Sequence, residues 1–314
     1  MKKSLIITVA LFLVLLLPAY GSRSSNTIIQ PNEAASQEKQ ADNKIFETPV
    51  QNIKEKNDIQ EAKTKFDQAQ IDETILFDEA DIKITAKSLV VDALFGAELK
   101  LLIENNTDKN LTFQCRNASV NGYMIDTIMS SDVASGKKAN DTLTFMSSDL
   151  DICGIKSIAD MEFSFHVFTS GDWDNYLDTP QIQLKTHAAD SYNYIFDDSG
   201  NTVYDDSGVK IVIKGLTEDS SFMGPSVVVY ISNESDKNIT IQARDVSVNG
   251  FMVDPIFSTD VMIGKHAIST ITFTSSELEE NDITSIDEIE LSFHVFEMDS
   301  WDNIFDTESI AIEF

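Results

Sequence analysis

The chain has 314 residues, 42% of them hydrophobic, which is room for about two domains at roughly 100–200 residues each. Its 52 acidic side chains against 23 basic ones leave a formal charge of −29. So acidic a surface repels phosphate backbones and excludes nucleic acid as a partner; it also disfavours anionic membrane or wall polymers unless divalent cations bridge them.

The N-terminus reads Met1-Lys2-Lys3, then runs apolar from Leu5 to Leu17 and ends in Pro18-Ala19-Tyr20-Gly21-Ser22. A basic start, a short apolar run and small residues beyond it make a secretory signal, too short for a comfortable membrane span. Residues 1–21 are therefore expected to be a signal peptide, and the protein to be exported, extracellular or associated with the cell envelope. Leu17-Pro18-Ala19 fits the start of a bacterial lipobox, but Tyr20 stands where the acylated Cys would be. Tyrosine has no thiol to carry a thioether lipid. Two outcomes stay open: cleavage after Gly21, or an uncleaved segment that is the chain's one hold on the membrane. Residues 22–73, rich in Gln, Asn, Lys, Glu and Ser, read as a flexible polar linker.

A long repeat follows. Asn105-Asn106-Thr107-Asp108-Lys109-Asn110 returns 128 residues later as Asn233-Glu234-Ser235-Asp236-Lys237-Asn238. The same offset carries Val120-Asn121-Gly122-Tyr123-Met124 onto Val248-Asn249-Gly250-Phe251-Met252, Phe165-His166-Val167-Phe168 onto Phe293-His294-Val295-Phe296, and Trp173-Asp174-Asn175 onto Trp301-Asp302-Asn303. A domain-sized period means a duplicated domain. Within each copy apolar residues alternate at a period of two, as in Leu99/Leu101/Ile103 and Val227/Val229/Ile231, the pattern of strands with one buried face. Asn121-Gly122 and Asn249-Gly250 suit tight hairpin turns. Ser147/Ser148 and Ser275/Ser276 suit serine-capped helical turns. An acidic stretch, Asp197-Asp198-Ser199-Gly200-Asn201 then Asp205-Asp206, is expected to form a hairpin turn in the connection between the copies. The fold class expected is all-β: two tandem immunoglobulin-like β-sandwiches, residues 74–187 and 203–314, joined by a connection at 188–202.

The Val-Asn-Gly-(Tyr/Phe)-Met segment, the Gly136-Lys137 and Gly264-Lys265 turns and the Phe-His-Val-Phe strand resemble the immunoglobulin-like, telokin-like domains of the DUF4352 type. These are carried by lipoproteins and membrane-anchored surface proteins of low-GC Gram-positive bacteria. The resemblance spans Ile75–Thr186 and Val203–Phe314. It implies a sandwich fold and an envelope location, and it brings no catalytic residues.

Few residues offer chemistry. Cys115 and Cys153 are the two cysteines; their counterparts are Ala243 and Asn281. Their joint presence in one copy and joint absence from the other suggests a disulfide closing a loop of about 38 residues; the alternative is two unrelated thiols. Asp172, Asp174, Asn175 and Asp178 surround Trp173, and Asp302, Asn303 and Asp306 surround Trp301. Such clustered oxygens suit Ca²⁺, although Ser300 replaces Asp172; the alternative is a polar β-turn with the Trp packed under it. His166 and His294 occupy matching outward positions and read as surface side chains, while His187 and His266 have no counterpart. Asn-x-Ser/Thr triplets at Asn110, Asn117, Asn140 and Asn238 read as strand-edge polar residues. Phosphate loops, nucleophile elbows, zinc spacings and His-Glu-x-x-His helices are absent from the sequence.

The expected function is that of a non-enzymatic, exported surface module that binds an extracellular protein or glycan, or builds part of an envelope assembly, with Trp173 and Trp301 as contact residues. The alternative expectation is an envelope structural or stress-protective protein rigidified by Ca²⁺, and no other cofactor is expected.

Overall fold

The computed structural model describes residues 70–92, 96–217 and 223–314, all within one compact unit, Pro49–Phe314. The expected signal peptide, and the linker as far as residue 69, lie outside the described residues. Among the described residues, no helix is long and apolar enough to cross a membrane.

The protein is all-β. The first repeat runs β1 (Thr74–Glu79), β2 (Ile82–Asp92), β3 (Gly96–Asn105), β4 (Leu111–Val120), β5 (Tyr123–Met124), β6 (Thr127–Ile128), β7 (Ser130–Val133) and β8 (Lys137–Met146). It continues with helix α1 (Ser147–Ile152), β9 (Asp160–Thr169), β10 (Asn175–Asp178) and β11 (Ile182–Lys185). After a single 3-10 turn, Ala189–Ser191, the second repeat follows the same plan with β12 (Asn201–Asp206), β13 (Val209–Thr217), β14 (Ser226–Asn233), β15 (Ile239–Val248), β16 (Phe251–Met252), β17 (Ser258–Val261) and β18 (Lys265–Thr272). It ends with α2 (Ser275–Glu280), β19 (Glu288–Glu297), β20 (Asn303–Asp306) and β21 (Ile310–Glu313). The second counterpart of β6 shrinks to one bridge, Ile256 with Thr272.

In the first repeat the sheet β1-β2-β3-β8-β6 faces the sheet β10-β9-β4-β5, with β7 and β11 flanking β4 and β9. In the second repeat β18-β14-β13-β12 faces β16-β15-β19-β20, with β17 and β21 alongside. Alternation decides the layers: Ala97, Leu99, Leu101 and Ile103 of β3 point inward and are fully buried, while Glu98, Lys100 and Leu102 between them are half-buried. Each sandwich has its own apolar core, one around Phe113, Phe145, Phe163 and Phe165, the other around Phe273 and Phe293. At roughly 25 cal/mol per Å² of apolar surface removed from water, these interiors supply the main driving force.

The repeated asparagines turn out to be buried brackets. Asn105 is fully buried; its amide donates to the carbonyls of Lys109 and Val133, each at 2.8 Å, and its oxygen accepts from the Thr107 N–H and hydroxyl. Asn233 makes the same set with Lys237, Val261 and Ser235. Asn121, in the left-handed region, pins the β4–β5 turn to the start of β9 through Ser157, Ala159 and Asp160, and Asn249 pins its counterpart through Ser285, Asp287 and Glu288. A buried amide that loses such partners costs about 1–3 kcal/mol for each group left unsatisfied. The repeated motif is thus a folding device.

Two local expectations are corrected. Both short helices form where expected, but their N-caps are Met146 and Thr274, and neither makes a side-chain capping bond. The acidic stretch at 197–201 is not a hairpin: Asp197 and Asp198 are tied to Lys214 and Lys210, and Asn201 already opens β12. The hairpin comes directly after Asp205-Asp206, at Ser207-Gly208, both in the left-handed region.

The repeats also meet edge to edge. Tyr123 of β5 pairs in parallel with His266 of β18, so one ten-stranded sheet runs through both sandwiches. Around this bridge Val212, Tyr230 and Ile268 of the second repeat pack on the first core, and Met124 of the first packs on the second. The connection between the repeats covers the joint. Phe196 stacks on His266 at 3.6 Å between ring centres and meets Tyr123 edge-on at 5.2 Å, and the Tyr194 hydroxyl donates to Asp160 at 2.7 Å.

Candidate functional site: the two tryptophan turns

The β9–β10 turn is where the sequence placed its candidate residues. Outward-facing residues alternate along β9, so His166 and Phe168 share the face turned away from the core. The chain then reverses at Gly171–Asp174. The Trp173 N–H donates to the Thr169 carbonyl at 3.1 Å and the Thr169 N–H donates to the Asp174 carbonyl at 2.9 Å. This closure forces Trp173 to φ +63°, a backbone region that costs a non-glycine residue about 1–2 kcal/mol. The indole lands flat on Phe168, with centroids 5.2 Å apart and planes 16° apart. Such stacking returns about 0.5–1.5 kcal/mol, which roughly offsets the backbone cost. Phe168 is buried beneath it, yet Trp173 itself stays 73% exposed.

The second copy repeats this arrangement with different side-chain bonds. Trp301 also has φ +63°, stacks on Phe296 at 5.4 Å and 15°, and is 73% exposed. Glu297 stands in for Thr169; its carboxylate accepts from Ser300 at 2.9 Å and Lys237 at 3.0 Å, and the Ser300 hydroxyl accepts from the Asp302 N–H at 3.2 Å. The turn itself is closed as in the first copy: the Trp301 N–H donates to the Glu297 carbonyl and the Glu297 N–H to the Asp302 carbonyl, each at 2.9 Å.

Beneath each indole lies a polar chain. His166 Nδ1 meets Asp178 at 2.6 Å, and the Asn175 amide donates to the other Asp178 oxygen at 3.0 Å. His294, Asp306 and Asn303 match at 2.6 and 2.9 Å. Hydrogen bonds from His294 and Asn303 hold the Asp306 carboxyl below its ordinary range, with Arg244 nearby. Asp178 is lowered as well: its partial burial works the other way, and the bonds from His166 and Asn175 outweigh it, helped by Arg116. With both oxygens engaged, Asp178 and Asp306 act as anchors of the turn. Among the described residues no three or more His, Cys, Asp or Glu side chains converge into a group that could hold a metal ion; Asp172, Asp174 and Asp302 stand exposed around the Trp turns.

The structure thus brings Trp173, Asn175 and Asp178, and equally Trp301, Asn303 and Asp306, into one assembly each. It adds His166/His294 and Phe168/Phe296, which the sequence reading left outside. Their signal was available: a His and a Phe two apart on one strand face, repeated 128 residues later beside the same Trp-Asp-Asn.

The expected disulfide is corrected. Cys115 and Cys153 are free thiols. Burial pushes the Cys115 thiol up to about 11, against a hydrogen bond with Thr127; burial also pushes Cys153 up to about 12, against a bond with the Ile268 backbone. Cys153 lies at the joint with the second repeat, which explains why Asn281, at the free end of that repeat, need not match it. Thiols with pKa values this high hold little thiolate at neutral pH and are poor nucleophiles. A shallow groove between β1 and residues 180–182 is lined by the carboxylates Asp78 and Glu79 and by neither His nor Cys.

No family model matches the chain, and no curated protein matches it. Among solved structures, the YadV chaperone is matched at 11% identity over 74% of this chain and 100% of that one, with a TM-score of 0.22. Red sea bream transglutaminase is matched at 8% identity over 85% of this chain and 34% of that one, with a TM-score of 0.19. Likenesses at these scores carry no argument about fold or function.

Proposed function

We propose that the chain is a non-enzymatic, exported module that binds an extracellular protein or glycan through its two tryptophan turns. The observation carrying this reading is that each repeat spends a strained backbone position to hold an indole flat on a buried phenylalanine with its other face open to solvent. Neither core needs those indoles. A rigid aromatic face loses little entropy on binding, which is why Trp dominates contact hot spots. Two such faces in one chain add avidity wherever a partner spans both. The resemblance to envelope-displayed immunoglobulin-like domains and the signal-like N-terminus support display outside the cell.

The chain contains two tryptophans in all, so fluorescence excited selectively at the indoles, beyond tyrosine absorption, reports on these sites alone. Titration with envelope polysaccharide and with extracellular protein fractions is expected to give saturable quenching with one of them. Trp173→Ala and Trp301→Ala should each weaken binding to that immobilised fraction about tenfold, equivalent to about 1.4 kcal/mol. Binding that survives the double substitution unchanged would remove the tryptophan turns as the contact.

A further inference from the structure

The contact between the repeats is directional, and each half of it exists twice. The first repeat contributes its β4–β5 hairpin end; the second contributes the free edge of β18 and the outer face of β13 and β14. The Gly122 carbonyl accepts the His266 N–H at 2.9 Å, and Lys265 pairs with Glu162 at 2.7 Å. The hairpin end of the second repeat keeps the turn, an aromatic residue, the methionine and the glutamate, though not Cys153 or the covering Phe196. Asn249-Gly250 holds the same positive-φ turn, Phe251 stands for Tyr123, Met252 for Met124 and Glu290 for Glu162, as the strand registers require. Tyr123 is 4% exposed in the contact, whereas Phe251 is 49% and Met252 66% exposed. Among the described residues β16 is the last strand of its sheet.

The first repeat presents the corresponding strand edge, with its lysine kept and its other side chains changed. Lys137 pairs with Asn105 as Lys265 pairs with Asn233. Lys138 holds the His266 position, Leu102 that of Tyr230, and Asn140 that of Ile268. From Lys137 to Leu143, β8 is paired with β3 alone, because β6 reaches it first at Thr144. On this face Lys100 is held by Glu98 and Lys138 by Glu104, each at 2.7 Å, while Lys137 stands exposed in the place of Lys265; on the hairpin end of the second repeat Glu288 and Glu290 are exposed.

We infer that the chain associates head to tail with a second copy of itself, the β16 edge of one molecule docking on the β8 edge of the next. Charge selects this occupant: two hairpin ends meeting about a two-fold axis would set Glu290 against Glu290, a like-charge juxtaposition. Because the two surfaces differ, the contact does not close on itself and grows open-ended. It is weaker than the contact within the chain. Asn140 and Thr85 replace the apolar Ile268 and Val212, and the covalent connection raises the effective concentration of the internal contact alone.

Sedimentation of the full chain over a concentration series tests this. A distribution growing past the dimer and dissociating as salt rises is expected. Lys137→Glu and Glu290→Lys, both at exposed positions, should each weaken association about tenfold or more, and the double charge swap should restore it. A monomer at every concentration, growth that stops at a dimer, association indifferent to both charge reversals, or association that needs an added foreign protein would overturn the inference.

Discussion

The two repeats keep one register from Asn105 onward, yet equivalent residues live in different surroundings. Tyr123 and Phe251 occupy the same place in the same hairpin; one is sealed under Phe196 and His266, the other faces solvent. On the opposite side, the second repeat presents Val212, Tyr230, His266 and Ile268 where the first presents Thr85, Leu102, Lys138 and Asn140. At three of these four outward positions a polar residue of the first repeat faces an apolar or aromatic one in the second, and at the fourth a leucine faces a tyrosine; these are the positions that meet the neighbouring copy. The two copies share one plan, and the outer face on which they differ is the face through which they meet. The tryptophan turns show the converse: there the supporting bonds changed, Thr169 to Glu297 and Asp172 to Ser300, while stacking, backbone angle and exposure stayed the same.

This comparison can be broken at graded strengths. Tyr230 sits at the centre of the joint, buried, sharing a hydrogen bond with His266 at 2.8 Å. Tyr230→Ala should cost about 3 kcal/mol, against about 1 kcal/mol for Leu102→Ala at the open counterpart. Denaturant unfolding followed in single-tryptophan variants, with Trp301 reporting the second repeat and Trp173 the first, would measure both. Equal costs would mean that the joint adds no stability. A narrower contrast uses the hairpin glycines. A Cβ at Gly122 meets the Phe196 ring at 3.0 Å, whereas one at Gly250 meets nothing within 4 Å, and their φ values are +85° and +83°. Backbone strain is therefore common to both, and Gly122→Ala should be the more destabilising by about 1 kcal/mol.

The smallest expected effect is on pH. Burial holds the His266 imidazole below its ordinary pKa, with Lys265 acting in the same direction and Glu234 against it. The folded joint thus prefers the neutral ring. Its contribution is complete above the ordinary imidazole value of about 6.5, and it is lost as pH falls from there through the lowered folded value. Melting of the second repeat should drop modestly between pH 7 and 5, and His266→Gln should flatten that slope. A slope untouched by the substitution would place the titration elsewhere.

Much of this was legible in the chain. The period of two in Leu99/Leu101/Ile103 specified strands and their buried face, because a pleated strand alternates its side chains whatever it packs against. The 128-residue offset specified two domains, and Asn121-Gly122 specified its turn. The candidate tryptophans were legible as residues, but their stacking on Phe168 and Phe296 was not, since a strand residue and a turn residue meet only once the chain reverses. The paired cysteines misled for a related reason. Presence in one copy and absence in the other suggested a bond, whereas Cys153 is distinctive because it lies at the joint between repeats.

Alternating burial, the duplication and the two Asn-Gly turns can be read along the chain, from sterics, hydrophobic periodicity and self-similarity, and the sequence by itself determined them. Which outer face would be covered, which hairpin end left bare and where each indole would point depend on residues far apart in sequence meeting across a sheet. Only the tertiary structure decided those, because the free energy of such contacts exists only after both partners are already folded.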